Sequence, residues 1–401
     1  MTLDAAALDA ADPLAAHRDL FVGAASPLVY LDGNSLGRPL RATEDRIARF
    51  VAEEWGGRLI RGWDERWYEL PLVLGDRLAA ATLGAGAGQT AIGDSTTVLL
   101  YKLVRAAVAA HPDRSEIVID RDNFPTDRFV VEGVARECGL TVRWLDVAPD
   151  GGVTPEVLAP ALGSGTALVV LSHVAYKSGF LADVAELTRL THEAGAWMLV
   201  DLCHSSGAVP VELDAWEVDL AVGCTYKYLN GGPGAPAFGY VARRHLDADA
   251  FRQPVQGWMG AADPFAMGPD YQPAPGIRRL ISGTPPILGM LGLEDMVDLL
   301  AEVGIEAVRA KSVALTSYTL DLVDRDLPEV EVVSPRDADR RGGHVTIAHP
   351  RMREVTAALW ERDVLPDFRN PDGLRIGLSP LSTSFAEVAR GIGAIAEALR
   401  R

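Results

Sequence analysis

An α/β fold is predicted for this chain: a large, mainly parallel sheet sandwiched by helices, followed by a smaller α+β domain. Three observations predict it. Apolar strand candidates alternate with helix candidates over roughly residues 70–250. Those strands are continuous apolar runs, the mark of strands covered on both faces. Past residue 285 the pattern changes to two long helices and then short mixed elements.

Taken in order, the first forty residues hold a short helix candidate, a short strand and the irregular stretch LVYLDGNSLGRPL. A helix is expected from Ala42 to about Trp55, with Ile47, Phe50, Val51 and Trp55 on one apolar face. Another is expected over 72–83, stopped by Gly84. Then follow helix 95–110, strand 116–120, helix 126–139, strand 142–147, strand 167–174, helix 183–195 and strand 197–202. Strands 219–224 and 237–242 complete the alternation. Residues 250–285, rich in Pro and Gly, read as a long ordered loop of the kind that serves a site or an interface. Helices 287–301 and 303–326, strands near 329–333 and 343–348, helix 352–362, strand 373–378 and helix 384–400 end the chain. The expected organisation is an N-terminal segment (1–40) joining a small domain (286–401), with a large domain (41–285) between them.

The 401 residues are 48% hydrophobic and 23% charged, which supplies a sizeable core and excludes wholesale disorder. A formal charge of −17 argues against nucleic acid and against an anionic membrane surface as partners. Three cysteines without CxxC spacing suggest neither a disulfide framework nor a structural zinc site. With no signal-peptide pattern and no long apolar run, a cytoplasmic location is expected.

The segment VDLCHSSGAVPVELDAWEVDLAVGCTYKYLNGGPGAP (200–236) carries the strongest chemical signal. Asp201 ends one apolar strand and Lys227 lies just beyond the next. Ligands of open α/β sheets bind outside the C-terminal strand ends, so both should reach one crevice. In pyridoxal 5'-phosphate (PLP) enzymes a lysine holds the aldehyde as a Schiff base, and an aspartate keeps the pyridine nitrogen protonated. An ordinary ion pair, or two unrelated surface charges, is the alternative. In GDSTTVLLYKLV (93–104), Asp94 or Ser95 caps a helix. Thr96 and Thr97 then stand at its positive end, where a phosphate fits. Phe124, after strand 116–120, is placed to lie on a cofactor ring, or else caps the core. Arg375, flanked by apolar residues, calls for a carboxylate partner, from a ligand or from within the protein. His204, with His173 or Cys203 nominated beside it, matches no metal-ligand spacing, and no metal is expected.

Seven segments resemble the kynureninase family of fold-type-I PLP-dependent enzymes, in the aspartate aminotransferase superfamily. They are YLDGNSLGRP (30–39), DSTT (94–97), NFPTD (123–127), the block from Asp201 to Phe238, QPVQGWMG (253–260), SGTPPIL (282–288) and LRIGLSPL (374–381). The resemblance implies that Lys227 binds PLP covalently and that Asp201 pairs with the ring nitrogen. It implies that Thr96 and Thr97 hold the phosphate, with Tyr226 as phosphate contact and proton-transfer group. Phe124 would stack on the ring with Asp127 close by, and Ser172 and His204 would line the pocket. Trp258 and Thr284 would come from the other subunit of a homodimer, and Arg375 would bind the substrate α-carboxylate. The implied activity is hydrolysis of the Cβ–Cγ bond of L-kynurenine, or of 3-hydroxykynurenine, to anthranilate and L-alanine in tryptophan catabolism. The alternatives are a homologue acting on a modified kynurenine in a biosynthetic pathway, or another PLP-dependent β-lyase. A cysteine desulfurase is disfavoured, because that reading needs a nucleophilic cysteine in a late loop and the last cysteine is Cys224. Lys177 and Ser178 stand where the family commonly has Arg and Thr, and Leu100 and Tyr101 also depart from its pattern. Thr284 stands where animal members have Asn, which favours unsubstituted kynurenine.

Overall fold

A computed structural model describes residues 4–248 and 250–401. The helix Ala5–Ala11 and the two-residue strand Val29–Tyr30 (β1) come first. The large sheet is built from β2 (Thr90–Ile92), β3 (Glu116–Asp120), β4 (Thr141–Leu145), β5 (Thr166–Ser172), β6 (Trp197–Asp201), β7 (Leu220–Gly223) and β8 (Phe238–Val241). Its order is β2-β8-β7-β6-β5-β3-β4. The β3–β4, β3–β5, β5–β6 and β6–β7 pairings are parallel, and β8 runs antiparallel to both β7 and β2.

Side chains alternate across a strand, so a strand covered on both faces needs apolar residues at every position. Leu168 and Val170 of β5 join Ile119, Leu199 and Val222 on one face, under Leu99, Leu103 and Val131 of helices Thr96–Ala110 and Pro125–Cys138. Val169 and Leu171 join Met198 and Val200 on the other, against Leu74, Leu187 and Met290 of helices Leu70–Leu78, Val184–Glu193 and Ile287–Val303.

The remaining strands are β9 (Glu331–Val332), β10 (His344–Ala348), β11 (Val364–Leu365), β12 (Asp367–Arg369) and β13 (Gly373–Gly377). They form an antiparallel sheet in the order β12-β13-β10-β9, while β11 pairs in parallel with β1. A second core joins Val29 and Leu31 to Leu315, Ile347, Ile376 and Ile392, so the N-terminal segment packs against the C-terminal elements. Among the described residues no helix is long and apolar enough to cross a membrane.

Most elements lie within two or three residues of expectation. Two differences have clear physical reasons. The helix expected over 42–55 is regular only over Arg41–Arg49 and continues in widened turns over Phe50–Trp55. Of its apolar face only Phe50 turns inward, while Ile47, Val51 and Trp55 are 40%, 46% and 54% exposed. Periodicity marks one face but does not say what covers it. The strands β2, β11 and β12 are not among the expected elements, because two or three residues are too few to display a period. The 250–285 stretch holds the short 3₁₀ turns Trp258–Gly260 and Gly276–Leu280 and an isolated antiparallel bridge between Ala261 and Pro273.

Candidate active site

The parallel strands β5, β6 and β7 end side by side, with Ser172 paired to Asp201 and Asp201 paired to Val222. This register brings Asp201 to the edge from which the Lys227 loop departs. The loop is held from the N-terminal segment: Gly37 N–H donates to the Tyr226 carbonyl at 2.9 Å, and Asn230 Nδ2 donates to the Arg38 carbonyl at 2.7 Å. A Cβ on Gly37 would lie 2.4 Å from the Lys227 carbonyl oxygen. The glycine in GNSLG is therefore required by close approach of two backbones. At the other end of the motif a Cβ on Gly33 would meet Ser379 Oγ at 2.2 Å.

Lys227, Tyr226, Asp201, His204, Ser172, Phe124, Asp127, Thr96 and Thr97 all line one cavity of about 220 Å³. Lys227 Nζ lies 3.0 Å from His204 Nε2 and 5.7 Å from the centre of the Phe124 ring. Burial, and then the Lys227 charge, hold the His204 imidazole well below its ordinary range. It is therefore neutral, and Lys227 donates to it. Asp201 Oδ1 accepts the Cys203 N–H at 2.6 Å. Asp127 lies beside Asp201, buried, and burial followed by the Asp201 charge pushes its carboxyl well above the usual carboxylate range. Burial also pushes the Tyr226 hydroxyl above the ordinary phenol range, so it keeps its proton at neutral pH. Ser172 Oγ donates to Asn123 Oδ1 at 3.0 Å, and Phe124 stands edge-on to Tyr176.

The expected helix cap is Ser95, whose side chain accepts the Val98 N–H. Asp94 instead occupies the turn before it in a left-handed conformation, with φ of 50°. Three predicted residues lie outside the cavity. Arg375, on β13, is buried and donates to the Tyr176 carbonyl at 2.7 Å, to Ser35 Oγ at 2.9 Å and to Asp367. It adjoins the cavity through Tyr176, and its carboxylate partner in this structure is internal. Thr284 borders a neighbouring groove that shares Asp94, Ser95 and Gly234 with the cavity. Trp258 is 41% exposed and meets Phe265.

Sequence reasoning did not assign Tyr176, Thr126 or Asp367 to the site. Tyr176 lies just past the C-terminal end of β5, which is the signal that could have found it. Asp367 sits on the unforeseen β12.

The donor set fits pyridoxal 5'-phosphate. A buried lysine amine faces a carboxylate pair, one member of which burial and its neighbour keep protonated. Hydroxyls and free N–H groups at a helix N-terminus border the same cavity.

Comparison with known proteins agrees with this architecture. The chain resembles a solved mutant of the cystine C-S lyase C-DES with glycine linked to its PLP cofactor. The TM-score is 0.83 at 20% identity, over 95% of this chain and 99% of that one. It also resembles a cysteine desulfurase from Thermococcus onnurineus NA1, with a TM-score of 0.81 at 19% identity over 95% and 98% of the two chains. At these identities the likeness shows the fold alone, the fold-type-I architecture. Residues 308–395 match the model of the kynureninase C-terminal domain. A kynureninase of Burkholderia pseudomallei is 43% identical over 394 residues, covering 96% of this chain and 92% of the relative. One of Pseudomonas fluorescens is 42% identical over 408 residues, covering 99% and 95%. With likeness of that extent added to a site of this chemistry, the chain belongs to the kynureninase family.

Proposed function

We propose that this protein is a PLP-dependent hydrolase that cleaves the Cβ–Cγ bond of L-kynurenine with one water to give anthranilate and L-alanine. The observation that carries the reading is the convergence of Lys227, Asp201 and Asp127 in one cavity at the C-terminal strand ends. PLP, when bound, supplies a ring that takes up the electron pairs released at the substrate's carbons.

The chain's own residues do the rest. Lys227 anchors the cofactor and then moves the Cα proton. Asp201 accepts the hydrogen bond of a protonated ring nitrogen, and its carboxylate is oriented by the Cys203 N–H. Asp127, kept protonated by burial and by Asp201, limits the repulsion two adjacent carboxylates would otherwise feel. Neutral His204 accepts from Lys227 and holds the amine beside Phe124. Thr96 and Thr97 bind the phosphate with the N–H groups of their helix, and Phe124 and Ser172 flank the ring. Tyr226 keeps its proton and is the acid/base at the γ-carbonyl, where such a group contributes roughly 10²–10⁴-fold. Arg375 binds the α-carboxylate.

We further propose a homodimer in which Trp258 and Thr284 complete the partner's site. The exposed face of Ile47, Val51 and Trp55, continued by Leu59 and Ile60 at 58% and 77% exposure, supports this reading. Thr284 favours kynurenine over its 3-hydroxy form.

The test is direct. Purified protein is mixed with L-kynurenine or 3-hydroxykynurenine, and anthranilate or 3-hydroxyanthranilate is followed by fluorescence together with alanine release. Faster turnover of kynurenine is expected. Absence of product from both substrates would remove the assigned activity.

A further inference from the structure

Lys102 is the one lysine that the apolar stripe of helix Thr96–Ala110 takes inside. It follows Leu99 by three residues and precedes Ala106 by four, on the face that packs against the sheet. Its side chain is 0% exposed. A buried ammonium is retained only with a partner. Lys102 Nζ lies 2.6 Å from Asp94 Oδ2 and donates to the Leu280 carbonyl at 2.8 Å. Helical side chains lean toward the N-terminus, which is how a residue in the second turn reaches back to the residue before the cap.

Asp94 is otherwise a liability. Its carboxylate is 31% exposed and borders the same cavity as Thr96 and Thr97. A carboxylate there repels any anion at the helix N-terminus. The backbone around it is already fixed without the side chain, since Gly93 N–H donates to the Ala237 carbonyl and Ala237 N–H to the Asp94 carbonyl. The Leu280 bond adds a tie to the segment that leads to Thr284, which shares a groove with Asp94.

We infer that Lys102 is a positioning residue for the cofactor's phosphate: by pairing with Asp94 it cancels a resident negative charge and turns that carboxylate away from the anion seat. The inference rests on the reading that places the phosphate at Thr96 and Thr97, and it deepens that reading.

The test titrates apoprotein of each variant with PLP and with pyridoxal, which lacks the phosphate, by absorbance. Lys102→Met is expected to raise the PLP Kd about tenfold or more and to leave the pyridoxal Kd within about twofold. Adding Asp94→Asn to Lys102→Met is expected to restore PLP affinity. A merely structural role would weaken both ligands and would not be rescued by a second substitution. Unchanged PLP affinity in Lys102→Met, equal weakening of both ligands, or a double variant as weak as the single one overturns the inference. If Lys102→Met does not fold, the double variant decides. Folding with near-wild-type PLP affinity supports charge pairing, and failure on either count overturns it. Thr96→Val/Thr97→Val reports separately on the phosphate seat. If that variant keeps its preference for PLP over pyridoxal, the seat itself is misplaced and the Lys102 inference falls with it.

Discussion

Tyr226 and Lys227 are adjacent in sequence but have separable tasks, so their variants should differ. Tyr226→Phe is expected to bind PLP with an unchanged visible spectrum and to lose roughly 10²–10⁴-fold in kcat. Lys227→Ala is expected to lose the yellow, borohydride-bleachable chromophore of the wild-type protein, together with activity. Arg375→Lys keeps the charge but loses the planar fork. A charge-assisted contact contributes about 1.5–3 kcal/mol, so KM should rise about 10–100-fold while PLP binding holds. A KM unchanged in that variant would place the substrate carboxylate elsewhere. Asp120, at the end of β3, makes a pH prediction. Burial pushes its carboxyl up to about 6, against the Asn123 amide at 3.0 Å, a backbone hydrogen bond and the Arg128 charge, which all pull it down. A folded-state value above the ordinary 3.8 means that the native protein holds the proton more tightly than the unfolded chain. Asp120 therefore adds no penalty below about pH 4 and lowers stability progressively as pH rises to about 6. Melting of Asp120→Asn between pH 4 and 6 should fall less steeply with pH than that of wild type, and parallel slopes would refute the assignment.

At the scale of elements, the Lys227 loop and the GNSLG segment are one structure made from distant pieces of chain. A Gly37→Ala side chain would press on the Lys227 carbonyl at 2.4 Å, and the opposing atoms are backbone or the bonded Asn230 amide. Overpacking of this kind costs roughly 1–3 kcal/mol. The expected outcome is a lower melting temperature together with a shifted cofactor spectrum, since the strain falls on the lysine-bearing backbone. A melting temperature and spectrum identical to wild type would show that the two backbones separate freely. The motif was legible as a pattern, whereas the reason for its glycines was not. That reason lies in contacts of Gly37 with Lys227 and of Gly33 with Ser379. Helix Thr96–Ala110 is a contrasting case. Its start was legible from Ser-Thr-Thr after Gly-Asp, and even its buried lysine could have been noticed as a charge on an apolar stripe.

At the scale of the molecule, the fold is shared with C-S lyases and desulfurases, so the scaffold does not choose the reaction. Family membership and the residues at the strand ends do. The proposed homodimer is tested by sedimentation. The wild type should sediment as a dimer, and Ile60→Asp in the exposed apolar face should shift it toward monomer and weaken PLP retention, because Trp258 and Thr284 then lack a partner site to complete. A monomeric wild type that turns over kynurenine would end that proposal.

The sequence by itself determined the layered α/β class, the strand ends from which Asp201, Phe124 and Lys227 emerge, and the short segments whose resemblance to a known family implies the cofactor. These are local properties, carried by uninterrupted apolar runs, caps and short motifs. Only the tertiary structure decided which side chains meet: that Asp127 is forced to hold a proton beside Asp201, that Arg375 is already paired with Asp367, that Ile47 and Trp55 face outward, and that Lys102 reaches Asp94. Each of these depends on burial and on contacts between distant segments, and no periodicity or spacing along the chain encodes the solvent exposure or the neighbour that sets a charge.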